Sequence, residues 1–175
     1  WLGFASCDVE YSDDIWAKQK VPTGKGTVTI CCLKAGSKYG ADYVNKLYNM
    51  VQRNIRFAGA DFMCYTDDPQ GIEAPIRTMP LPLPLDKFPG WWQKLAFYQG
   101  KLEGVYTNKI LFLDLDMVIT GCMDSMLEMD SSFATSKDWP SGRWPEEDQR
   151  DRFGNTSAVL LEVGSRTDIW EQFIK

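Results

Sequence analysis

The chain has 175 residues, 44% hydrophobic and 13% aromatic, which suits one domain with a sizeable core and excludes a disordered composition. Its net charge of −5 argues against a general nucleic-acid binder, which would carry a basic face, but not against a nucleotide whose charge is met by a metal. It contains no histidine, which excludes Ser-His-Asp triads, Cys-His pairs, H-E-x-x-H zinc sites and histidine general bases within this chain.

Residues 1–26 lack clear periodicity and read as an N-terminal extension; the first residue is Trp1 rather than Met, which implies trimming or a longer parent. The β-branched run TVTICCL at 27–33 predicts the first strand, followed by a loop at 34–40. Val44, Leu47, Tyr48, Val51 and Ile55 recur at helical spacing and predict a helix over 41–55, with Asp42 at the positive end of its dipole. A second strand is expected at 60–65, closed by the turn residues TDDPQG, and a third at 76–79. The segment PLPLPLDKFPG at 80–90 is too rich in proline for a helix or central strand and reads as an extended surface connection. A helix is expected over 91–102, then a strand from Lys109, a short helix at 123–129 and a short strand at 132–136. Residues 137–153 read as a mobile loop, 157–163 as a last strand and 168–175 as a helix. This alternation implies an α/β domain with a mostly parallel sheet.

The stretch KILFLDLDMVI at 109–119 carries the most chemistry. Ile110 to Leu113 and Leu115 form an apolar run that suits a strand buried on both faces. A buried carboxylate is costly without a partner, so Asp114 and Asp116 at the end of such a strand are not ordinary packing residues. Ligand sites of open α/β sheets lie outside the carboxyl ends of the strands. The simplest partner for two carboxylates there is a hard cation, Mg2+ or Mn2+, with phosphate oxygens completing its shell. The alternative is a strand end with two solvated aspartates.

The five cysteines, Cys7, Cys31, Cys32, Cys64 and Cys122, form no C-x-x-C pair, against a zinc ribbon or a thioredoxin-like motif. Cys31, Cys32 and Cys64 fall in expected strands and act as small hydrophobes. Their odd count and irregular spacing favour a reducing, cytoplasmic compartment. No segment approaches the roughly 18 apolar residues of a membrane span, and no signal peptide is visible. Asn155-Thr156-Ser157 matches a glycosylation sequon, a triplet common by chance.

Six pieces, in order, resemble nucleotide-sugar glycosyltransferases of the GT-A fold, close to the glycogenin and galactosyltransferase-like group (family 8-like) and its bacterial relatives. They are VTICCLKAGSKYGADYVNKLYNMV, YTDDPQG, PGWWQKLAFY, ILFLDLDMVI, FATSKDW and GNTSAVLLEVG, running from Thr27 onward. D-x-D alone is a weak signal; the order and spacing of all six is far more specific. The resemblance implies a Rossmann-like, mostly parallel GT-A sheet flanked by helices over 27–175. It also implies a metal-dependent enzyme, with Mn2+ or Mg2+, that moves a sugar from a nucleoside-diphosphate donor such as a UDP-sugar. The acceptor, a glycan, a protein or a small molecule, is left open.

Within that resemblance, Asp114 and Asp116 match the D-x-D motif that holds the metal on the donor diphosphate and touches the ribose. The departing diphosphate develops negative charge as the sugar carbon becomes oxocarbenium-like, so a Lewis acid suits the chemistry. Lys94 matches a lysine that meets donor oxygens, or is a solvated helix lysine. Ala35 to Tyr39, Lys38 included, match the loop that cradles the base; Tyr39 stacks there or packs half-buried. Asp67 and Asp68 match acidic positions near the nucleotide, though a D-D-P turn explains them equally. Asp138 matches an acidic residue near the donor sugar, and Asn155 and Ser157 match side chains facing that sugar, though an ordinary loop residue explains Asn155 nearly as well. Trp91 and Trp92 are packing residues or a wall of the donor pocket.

The sequence stops at Lys175, before the family's next helix, its D-Q-type motif and its metal-binding histidine, so the expected domain is C-terminally truncated relative to that pattern. Two other classes fit less well. In a haloacid-dehalogenase-like phosphatase Asp114 would be a nucleophile and Asp116 a general acid, but the motif is mid-chain and followed by Met117-Val118. A non-catalytic GT-A-like domain would bind nucleotide or a partner without turnover.

Overall fold

The computed structural model describes residues 24–137 and 154–175. The expectations for residues 1–23 and for the loop beyond Lys137 lie outside the described residues.

Six strands make one sheet in the order β3-β2-β1-β4-β6-β5. They are β1 (Gly24–Lys34), β2 (Ala60–Thr66), β3 (Arg77–Pro80), β4 (Thr107–Leu113), β5 (Phe133–Lys137) and β6 (Gly154–Glu162). β1 pairs parallel with β2 and β4, and β2 parallel with β3. β6 runs antiparallel between β4 and β5. The sheet is therefore mixed but mostly parallel, as its strand–helix alternation predicts.

The pleat divides the strand residues between two apolar layers. On one face Val28, Ile30, Leu111 and Leu113 pack against Val44, Leu47, Tyr48 and Val51 of α1 (Ala41–Arg53). On the other, Cys31, Met63, Ile110 and Phe112 pack against Phe97 of a 3-10 helix (Gly90–Tyr98). Burial on both sides explains why β1 and β4 read as unbroken apolar runs. Among the described residues the remaining helices are short, α2 (Asp124–Leu127) and α3 (Thr167–Phe173).

Several expected boundaries move for local reasons. β1 starts at Gly24, inside the expected extension, because Gly24 pairs with Thr107. α1 stops at Arg53 rather than residue 55: the Asn54 side chain donates to the Met50 carbonyl at 2.8 Å, and Asp124 accepts the Arg56 and Phe57 amides at 2.8 and 3.1 Å. The helix expected over 91–102 is the shorter, tighter 3-10 helix. Its turns close three residues back, from Trp92 N–H to Pro89 and from Gln99 N–H to Ala96, and Gly100 beyond it holds φ +82°.

The proline-rich connection is anchored rather than loose. Gln93 is fully buried; its amide donates to the carbonyls of Leu83 (3.0 Å) and Phe88 (2.6 Å) and accepts the Leu83 N–H (3.1 Å). Prolines 80, 82, 84 and 89 offer no amide donors, so these backbone groups need a side chain to satisfy them.

Cys31, Cys32 and Cys64 are free and buried, as expected of small hydrophobes, and burial raises the Cys31 thiol far above its ordinary pKa. Cys122 is disulfide-bonded. No helix among the described residues is long and apolar enough to cross a membrane.

Gln93→Ala strands three backbone groups and is expected to lower the unfolding free energy by about 2–3 kcal/mol. Urea denaturation checks this; a loss within about 0.5 kcal/mol, the range of ordinary surface changes, would show that the segment holds itself.

Candidate functional site

The sheet order places the site. The chain builds β2 and β3 on one side of β1, then crosses back to lay β4 on the other, so the carboxyl ends of β1 and β4 border a switch-point crevice. Cys31 pairs with Phe112, so Leu33 and Asp114 leave the sheet nearly level. A cavity of about 260 Å³ lies there, and six expected site residues meet in it: Ala35, Lys38 and Tyr39 from the loop after β1, Lys94 from the 3-10 helix, and Asp114 and Asp116 after β4.

β4 ends at Leu113, which frees Asp114 to turn from the ladder. The Asp114 amide still donates to the Ser157 carbonyl of β6 at 2.8 Å, which fixes its backbone. Its side chain continues the face of Ile110 and Phe112, toward the 3-10 helix. There the Lys94 ammonium lies 2.6 Å from Asp114 Oδ1, with both side chains about one-fifth to one-quarter exposed (21% and 24%). Lys94 also packs 4.9 Å from the Phe112 ring centroid and reaches the Thr156 carbonyl at 3.4 Å. Leu115 points into the core, 5% exposed, and separates the two carboxylates. Asp116 is exposed and accepts a 2.7 Å hydrogen bond from the Tyr39 hydroxyl.

Tyr39 thus uses its hydroxyl on Asp116 while its ring meets Tyr43 (centroids 4.9 Å apart) and carries the Lys38 ammonium 4.7 Å above it. Lys38 has a raised pKa, first through the Tyr39 hydroxyl and more weakly through Asp116 and Asp114. Two ammoniums and two carboxylates then cancel in the cavity. A diphosphate gains no net attraction until a cation joins.

The other expected residues sit elsewhere. Asp67 accepts the Gly36 N–H through both carboxylate oxygens at 3.1 Å and so pins the base-side loop; it borders a separate cavity of about 430 Å³ with Thr66, Thr78 and Leu81. Asn155 and Ser157 stand on β6 outside the central cavity, the Asn155 carbonyl oxygen Oδ1 accepting the Ser157 N–H at 2.8 Å. Ser157 contributes through its backbone, by holding Asp114. Asp138 lies outside the described residues. Sequence reasoning missed Leu33, Phe112 and Leu115 as cavity walls and Gln93 as the anchor beside Lys94. The β4 alternation could have supplied Phe112, but no local signal marks Gln93.

Among the described residues no group of three or more His, Cys, Asp or Glu side chains could hold a metal. Asp114 and Asp116 alone fit the habit of Mg2+-like ions, which take one or two carboxylates and complete their shell with substrate phosphates and water. Lys94 and a cation would share Asp114. Lys94→Met is therefore expected to bind Mn2+ alone about tenfold more tightly than the unsubstituted protein, equal to about 1.4 kcal/mol. Electron paramagnetic resonance titration without nucleotide checks this; equal affinities would show that the ammonium and the metal do not compete.

No protein-family profile matches the chain, and no curated protein does. Solved structures do. The galactosyltransferase LgtC in complex with donor and acceptor sugar analogues matches with a TM-score of 0.60 at 15% identity, over 82% of this chain and 61% of that one. An active-site mutant of LgtC matches at 0.59 and 14%, over 84% and 65%. The apo form of the glycosyltransferase GlyE of Streptococcus pneumoniae TIGR4 matches at 0.52 and 12%, over 85% and 38%. The chain thus spans less than two thirds of the length of each of these structures. The mixed six-stranded sheet with its flanking helices is the GT-A fold of glycosyltransferases such as LgtC.

Proposed function

We propose that this chain is the donor-binding domain of a metal-dependent glycosyltransferase that uses a nucleoside-diphosphate sugar, most simply a UDP-sugar. The observation that carries this reading is the paired aspartates, Asp114 and Asp116, at the switch-point end of β4, facing Lys94 and the loop after β1 in one cavity. The GT-A fold, and the sugar analogues named for LgtC, support it.

Asp114 and Asp116 would hold Mn2+ or Mg2+, which when bound supplies Lewis-acid charge at the diphosphate leaving group. Ala35, Lys38 and Tyr39 form the nucleotide side of the cavity. Lys94 sits where an ammonium can turn from Asp114 to a donor phosphate or sugar oxygen, because its three donors already divide between a carboxylate and a carbonyl. Asp67 acts from outside by fixing the Gly36 amide, and Ser157 by fixing Asp114. Asp138, with Asn155, is assigned to the sugar side on the resemblance alone. The acceptor is a separate molecule approaching from solvent.

Calorimetry with UDP should show binding with Mn2+ or Mg2+ and none with EDTA. Asp116→Asn removes half the carboxylate charge of the pair and should weaken the metal-dependent binding at least about 30-fold, roughly 2 kcal/mol. UDP affinity that ignores both the metal and the substitution would sink the donor-site reading.

A further inference from the structure

The two aspartates are held in different ways. Asp114 has its amide on the Ser157 carbonyl and its carboxylate on the Lys94 ammonium. Asp116 is exposed, and among the described residues one hydrogen bond reaches its carboxylate: the Tyr39 hydroxyl donates to Oδ2 at 2.7 Å. That donor is itself immobilised. The Tyr39 ring is half-buried and packs against the apolar layer under α1, the layer that also takes Leu115. Tyr43 meets the ring with centroids 4.9 Å apart, and the Lys38 ammonium lies 4.7 Å above it. The backbone on either side is set by Gly36, at φ +67° with its amide bound by Asp67, and by Gly40, the N-cap of α1. One apolar layer therefore fixes both the ring that carries the hydroxyl and the leucine next to the carboxylate, and their polar neighbours meet at its edge. Such a contact removes the rotamer freedom of an exposed aspartate before any ligand arrives.

We infer that Tyr39 is a positioning residue for Asp116: its hydroxyl aims that carboxylate for the divalent cation, and this, rather than stacking on the base, is its principal contribution to the donor site. This rests on the donor-site reading above. The chemistry separates Tyr39 from Lys94. An ammonium carries the same sign of charge as the cation and would compete with it for Asp114. A phenol is neutral, and its single O–H takes one of the roughly four lone-pair positions of a carboxylate, which leaves the others for a cation. Hydrogen-bonded partners of metal-ligating carboxylates orient the ligand and strengthen metal binding. The ring is the poorer candidate for contact with the base: the Lys38 ammonium already lies over it, Tyr43 abuts it and core packing holds the rest.

The test titrates UDP into the full chain by calorimetry at a series of Mn2+ concentrations and reads the Mn2+ needed for half-maximal UDP affinity. Tyr39→Phe keeps the ring and loses the hydroxyl. It is expected to need at least about tenfold more Mn2+ than the unsubstituted protein. At saturating Mn2+ its UDP affinity should return to that of the unsubstituted protein, a recovery that loss of a base contact would not show. Tyr39→Leu, without the ring, should show the same shift and the same recovery. Circular dichroism confirms the fold of each variant. An unchanged Mn2+ requirement in Tyr39→Phe, or a lower one, overturns the positioning role. A loss of UDP affinity that persists at saturating Mn2+ in both variants overturns it in favour of a hydroxyl contact to the nucleotide, and one confined to Tyr39→Leu overturns it in favour of stacking. UDP binding that ignores Mn2+ in the unsubstituted protein, or no UDP binding there, overturns the donor reading and this role with it.

Discussion

The structure turns on how Asp114 is held. Its amide is tied to Ser157 across the antiparallel β4–β6 pair, and its carboxylate is tied to Lys94 on the far side of the connection. The first bond comes from sheet register and the second from the packing of the 3-10 helix over Phe112. Neither works alone. Without β6 the turn after β4 has no fixed starting point, and without the ammonium a partly buried carboxylate has no counter-charge. One restraint comes from the neighbouring strand and the other from the helix on the sheet's face, so the central strand both fills the core and aims the motif.

That arrangement makes charge balance the governing condition of the cavity. Without a ligand, Lys94 pairs with Asp114, Lys38 offsets the charge of Asp116, and the Tyr39 hydroxyl donates a hydrogen bond to Asp116. Under the donor-site proposal, this is how the cavity would avoid repulsion while it holds neither a cation nor a polyanion. The arrangement also divides the Lys94 ammonium between the Asp114 carboxylate and the Thr156 carbonyl.

Much of this was legible in the sequence because the signals were strong and local. β1 and β4 announced themselves through β-branched and apolar runs, and α1 through Val44, Leu47, Tyr48 and Val51 at helical spacing. Asp114 and Asp116 stood out because carboxylates at the end of a doubly buried strand need a reason. Tyr39 was placed in the right loop, but its bond to Asp116 spans 77 residues and leaves no trace in local pattern. The carbonyl by which Ser157 holds the Asp114 amide left no trace in the sequence either, because any residue carries one. The 3-10 geometry of 90–98 was hidden because WWQKLAFY has the composition of an α-helix, while the glycines and Pro89 at its ends tighten it. Gln93 was invisible because its partners are backbone groups of a segment with no periodicity.

That last point has a consequence for how the segment can change. Gln93 recognises only main-chain atoms of Leu83 and Phe88, so it is blind to the side chains those positions carry. Substitutions across 81–88 that keep the backbone path leave the clamp intact. Insertion or deletion of a single residue between 83 and 88 breaks it, because one amide must span both carbonyls. Length, not composition, is what the clamp constrains there. Trp92 and Lys94 flank the clamp in sequence, so a change of length in this plain-looking connection would shift the stacked Trp91–Trp92 pair beside the cavity and the lysine that faces Asp114 together.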